Sequence, residues 1–215
     1  MKKIFVLMTA LVATTAITQA QNTTFGIKAG IINSSLHLHA EDGDTKLDID
    51  GAKIGAIVGG VADISFSEKF SIQPNLLFVY KPGSLLLLGE GNVTTTSIDV
   101  PINFLYHDGG FFAGAGPNFS YGLSSKYKPF DNTDPDVDLY KKDGTDDAPF
   151  KRFEIGANIT MGYKFASGLT LSTQYTHGLS NISNEDLSSD AKFSTRQFGL
   201  SIGYMFGGSA AAKKK

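Results

Sequence analysis

The sequence predicts an all-β fold, an eight-stranded antiparallel up-and-down transmembrane β-barrel. Apolar and polar residues alternate with period two along most of the chain. The connections between these segments are alternately short and long. The chain also begins with a segment typical of exported proteins. Together these features favour a sheet that closes on itself in a membrane reached by export.

The first twenty residues are interpreted as a secretory signal peptide. Lys2 and Lys3 give a positive start, residues 4–13 form a short apolar stretch, and Ala20 ends a cleavage site of small residues. The apolar stretch is too short to cross a bilayer comfortably, which argues against an anchor helix. We predict a signal peptide over residues 1–20, a barrel over 21–206, and a flexible tail of native or cloning origin over 207–215.

The composition excludes several classes of protein. With 215 residues and a formal net charge of −2, the chain has room for one domain or two small ones and has no basic surface for nucleic acid. It contains no Cys, which excludes disulfides, thiolate metal sites and a lipidated cysteine. The 24 Gly and 16 Phe residues favour an all-β protein.

The alternation defines two faces on each predicted strand, because successive side chains of a strand point to opposite sides. In residues 52–66, Ile54 and Val58 fall on the apolar face, whereas Asp63 falls on the other. We expect the apolar face to meet lipid and the polar face to line the interior. The other strands are predicted at residues 70–81, 98–106, 111–121, 152–165 and 197–206, and more weakly at 24–32 and 169–181.

Three connections are predicted to be tight turns and four to be long polar loops. Short turns at one end and long loops at the other are typical of outer-membrane barrels with an even number of strands. We expect the turns and both chain ends to face the periplasm of a Gram-negative bacterium, and the loops to face outside. The turns are residues 67–69, 107–110 and 166–168, and the loops are roughly residues 35–50, 82–92, 126–149 and 182–191.

Three prolines, Pro74, Pro101 and Pro117, lie inside predicted strands. Proline lacks the N–H group that the sheet ladder uses, and a closed barrel has no free edge on which to place it. We therefore expect a β-bulge or a strand end at each of these positions.

The predicted inward face carries several charged side chains. Side chains can fill the interior of an eight-stranded barrel, so we favour a plug of ion pairs over the lining of a narrow pore. By strict alternation Arg196 falls on the outward face; we expect it near the rim, where it reaches lipid headgroups, unless the strand register shifts there. The predicted lumen charges are Lys28, Lys53, Asp63, Asp99, Arg152, Glu154 and Lys164.

The third long loop is acidic, and Asp134, Asp136 and Asp138 have the spacing that opens a calcium-binding loop. Leu139 stands where such a loop needs Gly, and Thr145 where it needs the closing Glu. We therefore favour a solvated loop, keep the three aspartates as weak metal candidates, and predict no cofactor.

Two groups of histidines suggest other chemistry. His37 and His39 can bind a transition metal, but without a third ligand near them we expect only a pair of rim side chains. His177 falls near Ser172, Ser180 and Glu154, the residue types that activate a hydroxyl nucleophile. Because the sequence has no nucleophile elbow, phosphate loop or zinc-binding helix motif, we predict no catalytic residue.

Six short segments occur in order along the chain: FGIKAG at 25–30, FSIQPNLL at 70–77, IDVPI at 98–102, GAGP at 114–117, YTHGLSNI at 175–182 and GYMF at 203–206. Together they resemble the PorT-type outer-membrane β-barrel family of Gram-negative bacteria. The resemblance implies an eight-stranded outer-membrane barrel but no single activity, since only a few members serve secretion. Asn75 departs from the Glu that is usual at its position, so no charge role is carried over to it.

The expected function is a non-enzymatic outer-membrane barrel that presents four loops outward for binding or adhesion, or that acts as an envelope scaffold. The alternatives are a narrow solute channel, a lipid-modifying barrel enzyme, and a soluble periplasmic barrel with an apolar interior. The expected partners are outer-membrane lipid with lipopolysaccharide, the barrel-assembly machinery, and an extracellular or envelope protein, but no nucleic acid.

Overall fold

The computed structural model describes residues 23–40, 47–49, 54–84, 91–129, 137–140, 150–182 and 191–206. The predicted signal peptide, the C-terminal tail and Lys53 lie outside the described residues. The described segments contain no helix that could span a membrane. They form ten strands: β1 Thr23–Ala40, β2 Leu47–Ile49, β3 Ile54–Ser65, β4 Phe70–Ser84, β5 Gly91–Asp108, β6 Phe111–Pro129, β7 Val137–Asp138, β8 Phe153–Lys164, β9 Leu169–Gly178 and β10 Ala191–Phe206.

The eight long strands form one closed antiparallel sheet. Each pairs with the long strands before and after it in the chain, and a ladder between β1 and β10 joins the two ends, from Phe25 opposite Phe206 to Ala40 opposite Ala191. The short strands add to this sheet at the end with the long connections, β2 beside β1 and β7 beside β6. The predicted eight-stranded up-and-down barrel is therefore confirmed.

The outer wall of the barrel is apolar, and the inner wall is packed. Ile54 and Ile202 point outward with 71% and 52% of their area exposed, whereas Asp63 and Glu154 point inward with 3% and 9% exposed. The alternation in the sequence thus assigns the two faces correctly. A soluble barrel with an apolar interior is excluded, because its large apolar side chains would lie inside.

Several strands continue past their predicted bounds toward the long connections. The first strand is predicted to end at Ile32, but β1 continues to Ala40, and β6 continues past Tyr121 to Pro129. The positions that continue the apolar outward face are polar in the β1 extension, namely Asn33, Ser35, His37 and His39, so the pattern by which the sequence reveals a lipid-facing strand ends there. The first two predicted loops are correspondingly too long, whereas the fourth is too short because β9 ends at Gly178 rather than at residue 181.

At the opposite end one connection is tighter than predicted, and the other two, residues 66–69 and 165–168, are each one residue longer than predicted. His107 belongs to β5 rather than to a turn, so that β5 and β6 are joined by Gly109 and Gly110 alone. Both glycines have positive φ, 56° and 96°, which matches the backbone twist of a two-residue hairpin. A side chain at either position would be strained.

The strand-internal prolines do not produce bulges. Residue pairing keeps one register on both sides of Pro74, Pro101 and Pro117, so the expectation of a bulge or strand end there is wrong. A register shift occurs instead in the β5–β6 ladder between Thr96 and Ser97, where β6 contains one extra residue, Leu123. The ladder tolerates a missing N–H without a change of register, provided that nearby groups satisfy the backbone.

Asn75 supplies one such group. Its side-chain amide is 3% exposed and donates to the carbonyl oxygens of Gln73 at 3.2 Å and Pro101 at 3.4 Å. An ionised Glu has no donor and could not make these bonds. Asn75, which replaces the Glu of the PorT-type pattern, therefore supplies hydrogen-bond donors to backbone carbonyls that lie close to Pro74 and Pro101.

Glycines face the interior at many positions and let neighbouring strands approach closely. At Gly116 a side chain would collide with the carbonyl oxygen of Ile102 on the adjacent strand, whereas Gly60 points outward into open space. A small barrel closes only if its strands coil strongly, and glycine permits that curvature. The inward glycines are Gly26, Gly30, Gly55, Gly59, Gly114, Gly116, Gly122, Gly156, Gly162, Gly178, Gly199 and Gly203.

Gly116→Ala is expected to destabilise the folded barrel by about 1–3 kcal/mol, the usual penalty for over-packing. The added methyl group meets the Ile102 carbonyl, and backbone cannot yield as a flexible side chain can. Urea unfolding in detergent, followed by the folded band on unheated gels, measures the change. Gly60→Ala is the matched control and should change stability by less than about 0.5 kcal/mol; equal losses in both variants would contradict the steric argument.

Candidate functional site

A chain of hydrogen bonds crosses the middle of the barrel interior. Asn158 on β8 donates to Asn103 on β5 at 2.9 Å and accepts from the hydroxyl of Thr176 on β9 at 2.7 Å. Gly116 of the intervening β6 pairs with Asn158 and has no side chain to separate the two amides. The three polar side chains are 1–5% exposed, so this layer closes the interior to solvent.

A carboxylate completes the sheet where β9 ends. Glu154 accepts the backbone N–H of Thr195 at 3.2 Å and the Thr195 hydroxyl at 2.8 Å. Gly178, the last residue of β9, leaves the space that this carboxylate occupies. Glu154 therefore gives β10 an acceptor at the point where β9 no longer provides one.

The predicted lumen charges that the structure describes are held mainly by hydrogen bonds. Asp99 forms an ion pair with Lys81 at 3.4 Å and accepts from the Ser97 hydroxyl at 2.8 Å. Lys28 instead donates to the Gln174 side chain at 2.8 Å. The expected plug is thus less an ion-pair network than a set of separate charge-assisted hydrogen bonds.

Tyr140 enters the mouth of the barrel, the end that carries the long connections. Its ring occupies the space left by Gly122, and the Arg152 guanidinium lies 5.0 Å from the ring centroid. Arg152 also donates to the carbonyls of Gly122 at 3.2 Å and Leu123 at 3.1 Å. Burial, with the nearby charge of Glu154, raises the pKa of Tyr140 to about 12, so the phenol stays neutral at physiological pH.

The short-turn end of the interior encloses a small polar cavity. Its volume is about 20 Å³, close to the space of one water molecule. His107 Nε2 lies 2.8 Å from the Ser71 hydroxyl in the same region. A cavity of this size can hold one water molecule but no larger solute. Its charged and titratable wall residues are Lys28, Asp63, His107 and Lys164.

The alternation predicts a polar interior, but part of the inner wall is apolar. Ile32, Ile57, Leu77 and Val79 form a buried cluster on β1, β3 and β4, and each is at most 3% exposed. An interior that excludes water is stabilised by apolar packing in the same way as any protein core. The expectation of a polar inner face is therefore wrong for this part of the wall.

The metal candidates do not assemble into a site among the described residues. Asp138 accepts the backbone N–H two residues further on at 3.0 Å, which shapes the turn after β7. Asp134 and Asp136, and the side chains of His37 and His39, lie outside the described part of the chain. Where the structure is described, it holds no group of three or more His, Cys, Asp or Glu residues that could bind a metal ion.

His177 is separated from the residues that would make it catalytic. It lies on the outward face of β9 opposite Arg196, whereas Ser172 and Glu154 point inward. The Ser180 hydroxyl accepts a backbone N–H at 2.9 Å and is engaged in the β8–β9 connection. The wall of the barrel thus stands between the histidine and the candidate acid, so His177, Ser172 and Glu154 do not form a Ser–His–acid arrangement.

Sequence reasoning missed the partners of the predicted charges. Tyr140 and Thr195 come from the long connection before β8 and from the start of β10, where the alternation is weak. The useful signal was glycine. Gly122 faces the Tyr140 ring, and Gly178 faces the Glu154 carboxylate that binds Thr195. An inward glycine thus marks a place that another side chain can occupy.

The comparisons with known proteins concern the barrel as a whole. A family described as "Outer membrane protein beta-barrel domain" matches residues 19–184. No curated protein matches the chain. One similar solved structure is that of Ail, the attachment invasion locus protein of Yersinia pestis, in complex with the heparin analogue sucrose octasulfate. Its sequence is 7% identical to this chain, and its structure aligns with a TM-score of 0.49 over 86% of this chain and 99% of Ail.

Two further solved structures have comparable sequence identities, TM-scores and coverage. Neisserial surface protein A is 9% identical with a TM-score of 0.49, covering 85% of this chain and 97% of that chain. OprG from Pseudomonas aeruginosa is 12% identical with a TM-score of 0.42, covering 85% and 95%. The narrower PorT-type resemblance stays a prediction. Since the family match spans most of the chain, the protein belongs to the outer membrane protein beta-barrel domain family.

Proposed function

We propose that this outer-membrane barrel is a closed scaffold that displays its four long connections outside the cell as a binding or adhesion surface. The filled interior carries the proposal. Leu105 and Ser71 are 0% exposed and Asn158 is 1% exposed, although all three point inward. Side chains that line a water-filled pore are wetted, so their burial supports a plug rather than a channel.

The strand lengths support display at the end with the long connections. β1, β5, β6 and β10 contain 18, 18, 19 and 16 residues. A tilted strand crosses the hydrocarbon layer in about 9–11 residues. The additional strand residues extend beyond the hydrocarbon layer and hold the long connections away from the lipid. An extracellular or envelope protein can reach the connections there.

The two alternatives are less well supported. A narrow channel conflicts with the buried layer around Asn158. A lipid-modifying enzyme is less well supported because the candidate acid, Glu154, lies on the opposite side of the wall from His177. We therefore propose no catalytic residue and no cofactor.

The purified barrel is expected to give no conductance steps in a planar bilayer, because buried side chains fill its interior. Tyr140→Ala removes the side chain in the mouth and should also stay silent, since the deeper layer around Asn158 remains. A porin of known conductance serves as the positive control. Stable steps from the wild type would overturn the plug, and steps from Tyr140→Ala alone would show that the mouth residue is a gate.

The proposed orientation can be checked with inserted epitopes. A tag placed after residue 87, in the second long connection, is expected to bind antibody on intact cells. A tag after Glu68, in the exposed turn between β3 and β4, should bind only after the outer membrane is permeabilised. The unheated-gel assay verifies that both fusions fold, and the reverse labelling pattern would contradict the orientation.

A further inference from the structure

We propose that Arg196 and His177 form a site on the outer wall of the barrel that binds the phosphate of an outer-leaflet lipid headgroup. The two residues lie on the outward faces of the adjacent strands β10 and β9 and are direct partners in the ladder. Directly opposed residues of antiparallel strands hold their Cβ atoms roughly 5 Å apart. A single phosphate can therefore contact both side chains.

Arg196 lies at the height of the lipid headgroups. The outward residues of β10 from Phe206 back to Phe198 are apolar or aromatic, and that run ends at Arg196, ten residues before Phe206. With a rise of about 3.3 Å per residue and a tilt of about 40°, ten residues correspond to roughly 25 Å along the axis, the height of the apolar band of such barrels. The guanidinium thus stands at the edge of the hydrocarbon on the long-loop side.

Arg196 lacks an acceptor for part of its guanidinium. Its Nε atom is buried and has no hydrogen-bond partner among the described residues. A buried donor on a charged group is costly to leave unpaired, so a shift of this half-buried side chain toward an acceptor outside the protein would be stabilising. The planar guanidinium fork matches the oxygen atoms of a phosphate.

The neighbouring strands leave this position open to a headgroup. On β8, Ala157 is the ladder partner of His177 and is too small to cover it. Glu154, on the same strand, is turned inward and is occupied by Thr195. No acid on this stretch of β8, β9 or β10 therefore competes for Arg196 among the residues that the structure describes.

The ladder continues with basic residue types toward the long connections. Lys192 of β10 lies opposite His39 of β1, four residues beyond Arg196. The register thus adds a second basic residue type, Lys192, to β10 beyond Arg196. A lipid with more than one phosphate and a net negative charge suits such a strand better than a zwitterionic phospholipid does.

Binding of diphosphorylated lipid A to the full barrel in zwitterionic detergent, followed by native mass spectrometry, tests the site. Arg196→Gln is expected to weaken binding about tenfold, the effect of losing a charge-assisted hydrogen bond. Arg196→Lys keeps the charge but loses the fork, so a smaller loss is expected. Lys69→Gln removes an exposed cation at the short-turn end and should leave binding unchanged.

Three outcomes decide the proposal. Equal affinities of wild type and Arg196→Gln, with both proteins folded on unheated gels, would overturn it. Dephosphorylated lipid A should not bind, and its binding as tightly as the phosphorylated form would also count against the site. Inorganic phosphate should compete only weakly; if it displaced the lipid at low millimolar concentration, the site would be one for free phosphate. Conductance and epitope labelling do not depend on these results.

Discussion

Every backbone N–H and C=O group in the hydrocarbon layer must be paired within the protein, and the rest of this structure follows from that requirement. The ladders between consecutive long strands pair most of these groups, and the β1–β10 ladder pairs those on the two remaining edges. Side chains complete the task where the ladder fails: Asn75 donates to carbonyls beside Pro101, and Glu154 accepts from Thr195 where β9 ends. These polar residues face inward because only there can they meet the backbone without contacting lipid.

Closing a sheet of so few strands leaves a narrow interior, and the inward glycines decide what can fill it. A glycine on one strand makes room for a side chain from the next, as Gly116 does beside Asn158 and Gly122 beneath Tyr140. The result is a core of mixed polarity. If the barrel acts as the closed scaffold we propose, the surfaces that remain for function are the outer wall and the long connections.

The sequence could predict the faces of the strands but not their full length. Period-two alternation gives the faces wherever one side is apolar, as in residues 54–65. It fails in the extension of β1 beyond Ile32, because a strand that leaves the lipid no longer needs an apolar side. It could not reveal the Lys81–Asp99 pair, which joins neighbouring strands four register positions apart, or the position of Tyr140, which depends on how a long connection enters the mouth of the barrel.

The outward charge of Arg196 also locates the boundary of the hydrocarbon layer. A charged residue on the lipid face of a barrel costs about 2–4 kcal/mol at the midplane and about 0–1 kcal/mol near the interface. Arg196 is therefore tolerated only at the edge, and the residues of β10 before it stand outside the hydrocarbon. The same holds for β1 beyond Ser35, its ladder partner. The β1–β2 pairing at Leu36–Leu38 consequently forms in the headgroup region or beyond it, where added strands stabilise a loop rather than a membrane span.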